Sequence, residues 1–191
     1  MFFFTADEHY DHRNILKYCQ RPFANVQEMN DELIRRHNEV VKPGDTVIHI
    51  GDFTLGSLGT ALNFMKQLKG THIFIPGSHD RWMEAPEAFA AVSDLGHVLY
   101  PSHLWTRNFN GGICLSTCHY AGRSWPKSHY NSWLLYGHSH GKLPGMGKSF
   151  DAGVDCHDFY PWSLRQITEV MEGLPDNPGF IAIKREREAQ K

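Results

Sequence analysis

The sequence predicts an α/β fold in which two mixed β-sheets pack together and helices lie outside them. Two observations indicate this fold. Strand-like apolar runs alternate with helical patterns before residue 97, and the rest of the chain is mostly strand-like. At 191 residues, with 41% hydrophobic and 21% charged residues, the chain can bury one core of ordinary globular composition. We therefore expect one domain over residues 1–184 and a charged tail over residues 185–191.

The first half predicts strands separated by helices, each marked by a local signal. The strands are residues 2–6, 46–50 and 71–75. A short helix begins near residue 15, and further helices cover residues 26–41, 60–68 and 86–92. Asn25 and Glu28 form a capping-box pattern, and Pro43 with Gly44 ends the helix that they begin.

The second half predicts mainly strands. They cover residues 97–100, 103–109, 112–117, 133–136, 148–152 and 180–184. Asn110–Gly112 is typical of a hairpin turn, and residues 121–131 form a polar and aromatic loop. The last helix covers residues 163–171, with Ser163 near its cap.

Composition and charge exclude several classes of protein. The net charge of −2 gives no global attraction to polymeric nucleic acid or to an anionic membrane. The N-terminal apolar stretch is too short for a signal peptide, and no run approaches membrane-spanning length. The four cysteines form no Cys-x-x-Cys pair and are expected to be free thiols. We expect a cytoplasmic protein; its oligomeric state is left open.

Side chains that commonly bind metals follow five strand-like runs. These residues are Asp7 and His9, then Asp52, then Ser78, His79 and Asp80, then His119, and finally His138 and His140. In an extended backbone, His138 and His140 would leave the chain on the same side. Ligands at strand ends also converge at one edge of an α/β sheet. The sequence therefore predicts one site at that edge.

The donor set favours two metal ions. Two carboxylates and four imidazoles exceed the needs of one tetrahedral ion, and they suit two ions that share a carboxylate. Oxygen and nitrogen donors without thiolate suit Mn²⁺, Fe or Zn²⁺. We expect two divalent ions, with Mn²⁺ as the first choice. Simpler interpretations exist: Asp7 and Asp52 as turn formers, His119 as a core histidine, and Ser78 as a plain turn residue.

In order and spacing, these stretches resemble the motif series of the calcineurin-like metallophosphoesterases. The chain is similar to a short, single-domain member, which implies a four-layer αββα sandwich. The resemblance implies that Asp7, His9, Asp52 and His140 hold the first metal. It implies that Asp52, Ser78, His119 and His138 hold the second. It also implies that His79 approaches the phosphate and the leaving oxygen, with Asp80 orienting its ring.

Two departures from the family pattern matter. Ser78 stands where the family has Asn, and a neutral hydroxyl is a weaker and shorter donor than an amide carbonyl. We therefore expect a weaker second metal site. Asp52 is followed by Phe53-Thr54-Leu55-Gly56, unlike the continuation in protein Ser/Thr phosphatases, which disfavours a phosphoprotein substrate.

Other polar residues are candidates for contacts with the substrate. His12 and Arg13 could reach the phosphate, and Arg123 and Trp125 could clamp and stack on a nucleobase-bearing substrate. An exposed helix start and a solvated loop are the alternatives. Asp155, His157 and Tyr160 could line a pocket rim. The other histidines are assigned to structural or surface positions: His37, His49, His72, His97, His103 and His129.

The functional hypothesis is a metal-dependent phosphoric ester hydrolase. It would cleave phosphodiester or phosphomonoester bonds of a small nucleotide-like substrate by in-line attack of a metal-bound hydroxide. One alternative is a phosphate- or nucleotide-binding protein whose catalysis is weakened by Ser78. Another is a nuclease, although the chain shows no basic patch to hold a polymer.

Overall fold

The computed structural model describes residues 1–179, which form two mixed β-sheets packed together and flanked by helices. This architecture confirms the predicted fold class. The strands are β1 Phe2–Thr5, β2 Thr46–His49, β3 Thr71–Phe74, β4 Val98–Leu99, β5 Leu104–Asn108, β6 Cys114–Cys118, β7 Trp133–Tyr136, β8 Ser149–Asp151 and β9 Trp162–Ser163. The helices are α1 Ile15–Tyr18, α2 Val26–Val40, α3 Leu58–Met65, α4 Ala88–Asp94 and α5 Leu164–Gly173. Short 3₁₀ helices span Arg81–Glu84, Asn110–Gly112, Ser128–Tyr130 and Val154–Cys156.

The first sheet has the strand order β4-β3-β2-β1-β9. Strands β1 to β4 are parallel, and β9 pairs antiparallel with β1. The predicted strand over residues 97–100 shrinks to the two residues of β4 and joins this sheet. The carboxyl ends of β1, β2 and β3 therefore lie along one edge.

The second sheet has the strand order β5-β6-β7-β8. The β5–β6 pair is antiparallel, as a hairpin requires, and Asn110–Gly112 forms the turn between the two strands. Strands β6, β7 and β8 are parallel. Their carboxyl ends also lie along a common edge.

The main core lies between the two sheets. Phe4 and Ile48 of the first sheet and Leu115 and Leu135 of the second belong to one fully buried cluster, together with Ile167 of α5. Alternation along each strand sends these side chains inward. Burial of apolar surface is therefore what joins the sheets.

Helices α2, α3 and α4 form the outer layer of the first sheet. Asn25 caps α2, because its Oδ1 accepts the Glu28 amide at 3.0 Å, as the sequence predicts. Met29 and Leu33 of α2 share a buried cluster with Phe74 of the first sheet. The helices therefore cover the face of the first sheet that points away from the main core.

Two predicted helices differ in extent. Helix α3 begins at Leu58 rather than at residue 60, because the Ser57 hydroxyl accepts the Thr60 amide at 3.3 Å and caps it earlier. The run over residues 86–92 is preceded by the 3₁₀ helix Arg81–Glu84, and α4 starts only at residue 88. An extended residue before Pro86 explains the break, since proline disfavours helical geometry in the residue that precedes it.

The outer face of the second sheet is covered differently. Among the described residues, the segment 121–131 with its 3₁₀ helix Ser128–Tyr130 takes the place of an α-helix here. Trp125 packs with Leu134 and Tyr136, and its indole N–H donates to the Ser132 carbonyl at 3.0 Å. The fourth layer of the predicted sandwich is therefore this segment.

A buried polar chain lies between the first sheet and its helices. The Glu8 carboxylate bonds His49 Nδ1 at 2.7 Å, and His49 Nε2 bonds His72 Nδ1 at 2.9 Å. His37 packs beside them and its Nε2 contacts the Lys69 carbonyl at 3.0 Å. The structural assignment of these histidines holds, while His103 and His129 lie at the surface.

The remaining predictions concern the ends and the thiols. The predicted strand over residues 180–184 and the tail over 185–191 lie outside the described residues. Within residues 1–179, no helix combines the length and apolarity needed to cross a membrane. All four cysteines are free: Cys19, Cys114, Cys118 and Cys156.

Candidate metal centre

The strand ends of both sheets bring the predicted residues to one place. Asp7 and His9 follow β1, Asp52 follows β2, and residues 78 and 79 follow β3. From the second sheet, residue 119 follows β6 and residues 138 and 140 follow β7. Hydrogen bonds, ring contacts and close side-chain distances link these positions.

The predicted side chains form two groups that could each hold a metal ion, and a third group, Cys19, His140 and Asp155, shares His140 with the first. Asp7, His9 and His140 make one group, with ligand atoms within 4.8 Å of one another. The second group contains Asp52, His119 and His138 at the same spacing. Each of these two groups is mostly buried and mixes carboxylate oxygen with imidazole nitrogen.

Asp52 lies between the two groups. Its Oδ2 is 3.2 Å from His119 Nε2 in its own group and 3.7 Å from His9 Nε2 in the other. One carboxylate oxygen thus faces both groups.

Buried atoms without partners test whether a metal pair fits. Both ring nitrogens of His9 and Nε2 of His119 are buried and have no hydrogen-bond partner. Leaving a buried polar group unpaired costs about 1–3 kcal/mol, so these atoms call for a ligand. Imidazole nitrogen and carboxylate oxygen suit divalent Mn, Fe or Zn. The residues present fit divalent metal ions.

The protonation states point the same way. Burial raises the pKa of Asp7 to about 8 and lowers the pKa of His9 to about 3. Burial also opposes charge on His119, but the Asp52 carboxylate, 3.2 Å from its Nε2, raises its pKa to about 9. A positive charge is therefore favoured beside Asp52, at the position where a cation would fit.

Most of these residues have left-handed backbone. The φ angles are +59° for Asp7, +54° for His9, +59° for Asp52, +67° for His138 and +48° for His140. Non-glycine residues seldom adopt this region, and the strain is tolerated at sites where the surroundings impose it. No sequence signal for it was recognised.

The expectation that His138 and His140 leave an extended backbone on the same side is wrong. The extended strand β7 ends at Tyr136, and both histidines are left-handed. They therefore serve different groups: His140 joins Asp7 and His9, while His138 joins Asp52 and His119.

Backbone amides orient the two carboxylates. The His138 amide donates to both oxygens of Asp7, at 3.0 and 2.8 Å, and the His79 amide donates to Asp52 Oδ1 at 2.8 Å. The Ser78 hydroxyl donates to Asp52 at 3.1 and 3.3 Å. Ser78 thus contacts the second group through Asp52. Whether its oxygen also reaches a metal stays a prediction.

Two glycines allow this close approach. A Cβ at Gly77 would lie 2.3 Å from both the amide nitrogen and Oδ1 of Asp52. A Cβ at Gly137 would lie 2.7 Å from Asp7 Oδ2. Any larger residue would push a carboxylate out of its group, which explains the glycines before residues 78 and 138.

His79 lies at the open side of the centre. Its ring is exposed and its centroid is 5.6 Å from that of His9. The half-buried His12 lies 5.3 Å from His9 and 6.4 Å from His79, measured between ring centroids. The structure therefore brings His12 and His79 to the mouth of the centre.

The predicted role of Asp80 needs correction. Its oxygens accept the amides of Asp52, Phe53 and Gly77 at 2.7–2.9 Å and the Trp82 indole N–H at 2.9 Å. Because these donors hold the buried carboxylate, it clamps the loops after β2 and β3 together instead of orienting the His79 ring.

Arg13 and Arg123 are not placed like His12. Arg13 is exposed at the start of α1. Arg123 lines a different cavity, on the outer side of the second sheet, with Trp125, Met146 and Asn177. Their roles toward a substrate stay predictions.

Sequence reasoning missed the partners of His140. Asp155 accepts His140 Nδ1 at 2.7 Å, and the buried Arg21 donates to Asp155 through Nε and Nη2, both at 2.8 Å. Arg21 also donates to the carbonyls of Asp7 and Glu8, at 2.6 and 2.8 Å. Asp155 follows β8, the strand beside β7, and this strand-end position was the available signal. Arg21 lies in no recognisable motif.

These features define a class of fold and site: a sandwich of two mixed β-sheets with residues at its strand ends that could hold metal ions. An archaeal phosphodiesterase of known structure shares the fold, with a TM-score of 0.50 and 16% identity over 80% of this chain and 82% of that one. A protein of unknown function, AQ665 from Aquifex aeolicus, aligns with a TM-score of 0.68 and 24% identity over 89% of this chain and 98% of that one.

The chain belongs to the family of the uncharacterised protein MJ1445 of Methanocaldococcus jannaschii. The two sequences are 30% identical over 183 residues, which cover 89% of this chain and 90% of that protein. No family model matches the chain.

Proposed function

We propose that this protein is a metal-dependent phosphoesterase that hydrolyses phosphodiester or phosphomonoester bonds of a small, nucleotide-like substrate. The position of Asp52 carries the proposal, because one of its oxygens faces both ligand groups. The fold that the chain shares with a phosphodiesterase supports it. The net charge of −2 favours a small ester over a nucleic-acid polymer.

Two divalent ions, with Mn²⁺ as the first choice, would occupy the two groups. Asp7, His9 and His140 would hold one ion, His119 and His138 the other, and Asp52 both. When bound, such ions activate water and stabilise the charge that develops on the phosphoryl oxygens. Ser78 would position Asp52 through the hydroxyl contact described above.

His79 would be the general acid. Its exposed ring stands at the mouth of the centre, where a leaving oxygen can reach it. As the bond from the water oxygen to phosphorus forms, the water gives up a proton to solvent, the bond to the leaving oxygen breaks, and the proton of His79 passes to that oxygen. His12, beside His79 and His9, would contact the phosphate from the same side.

Hydrolysis assays with added Mn²⁺ test the proposal. Wild-type protein is expected to cleave bis-p-nitrophenyl phosphate or p-nitrophenyl phosphate. Asp52→Asn is expected to lose most activity together with bound metal, because it weakens the ligand that both ions share. Wild-type protein that binds Mn²⁺ and cleaves neither ester would indicate a phosphate-binding protein instead.

The role of His79 has its own test. His79→Ala should slow turnover while the metal content, measured by elemental analysis, stays that of the wild type. The side chain is exposed, so folding should be unaffected. Loss of metal in this variant would make residue 79 a ligand and would contradict its assignment as the acid.

A further inference from the structure

A cavity of about 280 Å³ lies beside the candidate metal centre. It is enclosed by the loop after β3, the 3₁₀ helix Arg81–Glu84, helix α4 and the chain after β4. We infer that this cavity binds the organic group of the ester and that this group is a nucleobase. The inference rests on the proposed function and adds to it the site at which the base of the nucleotide-like substrate binds.

Ser78 connects the cavity with the centre. It lines the cavity, and its hydroxyl is 3.1 Å from the same Asp52 oxygen that faces both ligand groups. Gly77 and Asp80, which flank residues 78 and 79 in the same loop, also line the cavity. A phosphate at the centre is thus separated from the cavity by the width of one small side chain. Its substituent can therefore enter directly.

The walls of the cavity favour a flat apolar ring. Phe89 is 53% exposed although it is a large apolar residue, and Met83, Leu99 and Tyr100 line the cavity with it. An aromatic face open to solvent in a cavity is a stacking surface. Small-molecule pockets span about 300–1,000 Å³, so this one suits a single ring system rather than a polymer.

Polar groups at the rim select among flat rings. Arg81 and Glu84 are exposed at the cavity, and within residues 1–179 Arg81 makes no salt bridge. A guanidinium and a carboxylate offer donors and an acceptor to the edge of a ring. A nucleobase presents both, whereas an alkyl chain presents neither and a sugar lacks the flat apolar face. The combination fits a nucleobase best.

Two ligands that differ only in the base test the inference. AMP and ribose 5-phosphate are titrated by calorimetry into the Mn²⁺-loaded full chain. AMP is expected to bind at least tenfold more tightly, the effect of about one base–aromatic stacking contact. Phe89→Ala should reduce this ratio about tenfold. Tyr130→Ala is the matched control, because this aromatic ring is 58% exposed but does not line the cavity, and it should keep the wild-type ratio.

The outcomes separate the inference from the function on which it rests. Equal binding of the two ligands, no binding of either, or a preference that survives Phe89→Ala would overturn the cavity assignment. Hydrolysis of bis-p-nitrophenyl phosphate, measured in parallel, would still support the phosphoesterase. Base-selective binding that depends on Phe89, without hydrolysis of any ester, would support the cavity and overturn the proposed function.

Discussion

Replacement of Asp155 by Asn should weaken metal binding from a distance. Asp155 contacts His140 Nδ1 at 2.7 Å and so fixes the orientation of the ring whose other nitrogen faces Asp7 and His9. Carboxylates that hold a ligating histidine in this way typically contribute 10–100-fold to metal affinity. Asp155→Asn keeps the size of the side chain and removes its charge. We therefore expect Mn²⁺ affinity to fall about 10–100-fold, or about 1.4–2.7 kcal/mol.

The same change should also destabilise the fold. The Arg21 side chain is fully buried and Asp155 is its counter-charge, through contacts at 2.8 Å from Nε and Nη2. Breaking a buried ion pair by removing one charge costs about 3–5 kcal/mol. Arg21 keeps its hydrogen bonds to the carbonyls of Asp7 and Glu8. The free energy of unfolding should therefore fall by about 2–3 kcal/mol, at or below the lower end of that range.

Mn²⁺ titration by calorimetry and urea unfolding of the metal-free protein measure the two effects separately. Asp158→Asn is the matched control, because Asp158 also pairs with an arginine at 2.8 Å but is 80% exposed. Exposed pairs contribute about 0–1 kcal/mol, so this variant should resemble the wild type in both assays. If Asp155→Asn binds Mn²⁺ as tightly as the wild type, Asp155 does not orient His140 and the reasoning fails.

Three further changes have defined outcomes. Gly137→Ala places a methyl group 2.7 Å from Asp7 Oδ2, so we expect a loss of about 1–3 kcal/mol in unfolding free energy and less bound Mn²⁺, measured by denaturation and elemental analysis. Ser78→Asn should bind the second Mn²⁺ more tightly in titrations, because an amide carbonyl is a better ligand than a neutral hydroxyl. Burial lowers the pKa of His37 to about 4 and also lowers that of His72, whereas unfolded histidines titrate near 6.5. The unfolded chain therefore binds protons first, and the unfolding free energy should fall between pH 6.5 and pH 4 by up to about 1.4 kcal/mol per pH unit for each histidine.

Controls exist for each change. Gly59→Ala adds a methyl group whose nearest neighbour is 3.6 Å away, and it should not destabilise the protein. Ser93→Asn, at an exposed position of α4, should leave the metal titration unchanged. His72→Gln should reduce the acid sensitivity, while the exposed His129→Gln should preserve it. Equal effects of a variant and its control would contradict the corresponding explanation.

The sequence alone was sufficient to predict features whose signal lies within a few neighbouring residues. An apolar run followed at once by Asp or His places that side chain at a strand end, and parallel strands bring their ends to a common edge. This is why the pattern of residues alone predicts that Asp7, Asp52, His119 and the residues after β7 share one site. The cap at Asn25 was predictable for the same reason, since its partner Glu28 lies three residues away.

The other features of the site depend on contacts between residues that are far apart in the sequence, and no local sequence pattern indicates them. Arg21 and Asp155 are 134 residues apart in the chain, and their contact follows from the packing of the whole sandwich. Asp80 stands beside His79 in sequence, yet its carboxylate turns toward amides 27 and 28 residues away. Left-handed backbone at the candidate ligands likewise results from tertiary contacts that override local preference.

Asp80 also has a mechanical consequence. The Asp80 carboxylate accepts hydrogen bonds from backbone amides that follow two different strands. The loops that carry Asp52 and His79 therefore cannot shift independently. The distance from the shared ligand to the proposed proton donor is then set by a residue that belongs to neither ligand group. Loosening of that anchor would misalign the acid and the metal pair together, with every ligand still in the chain.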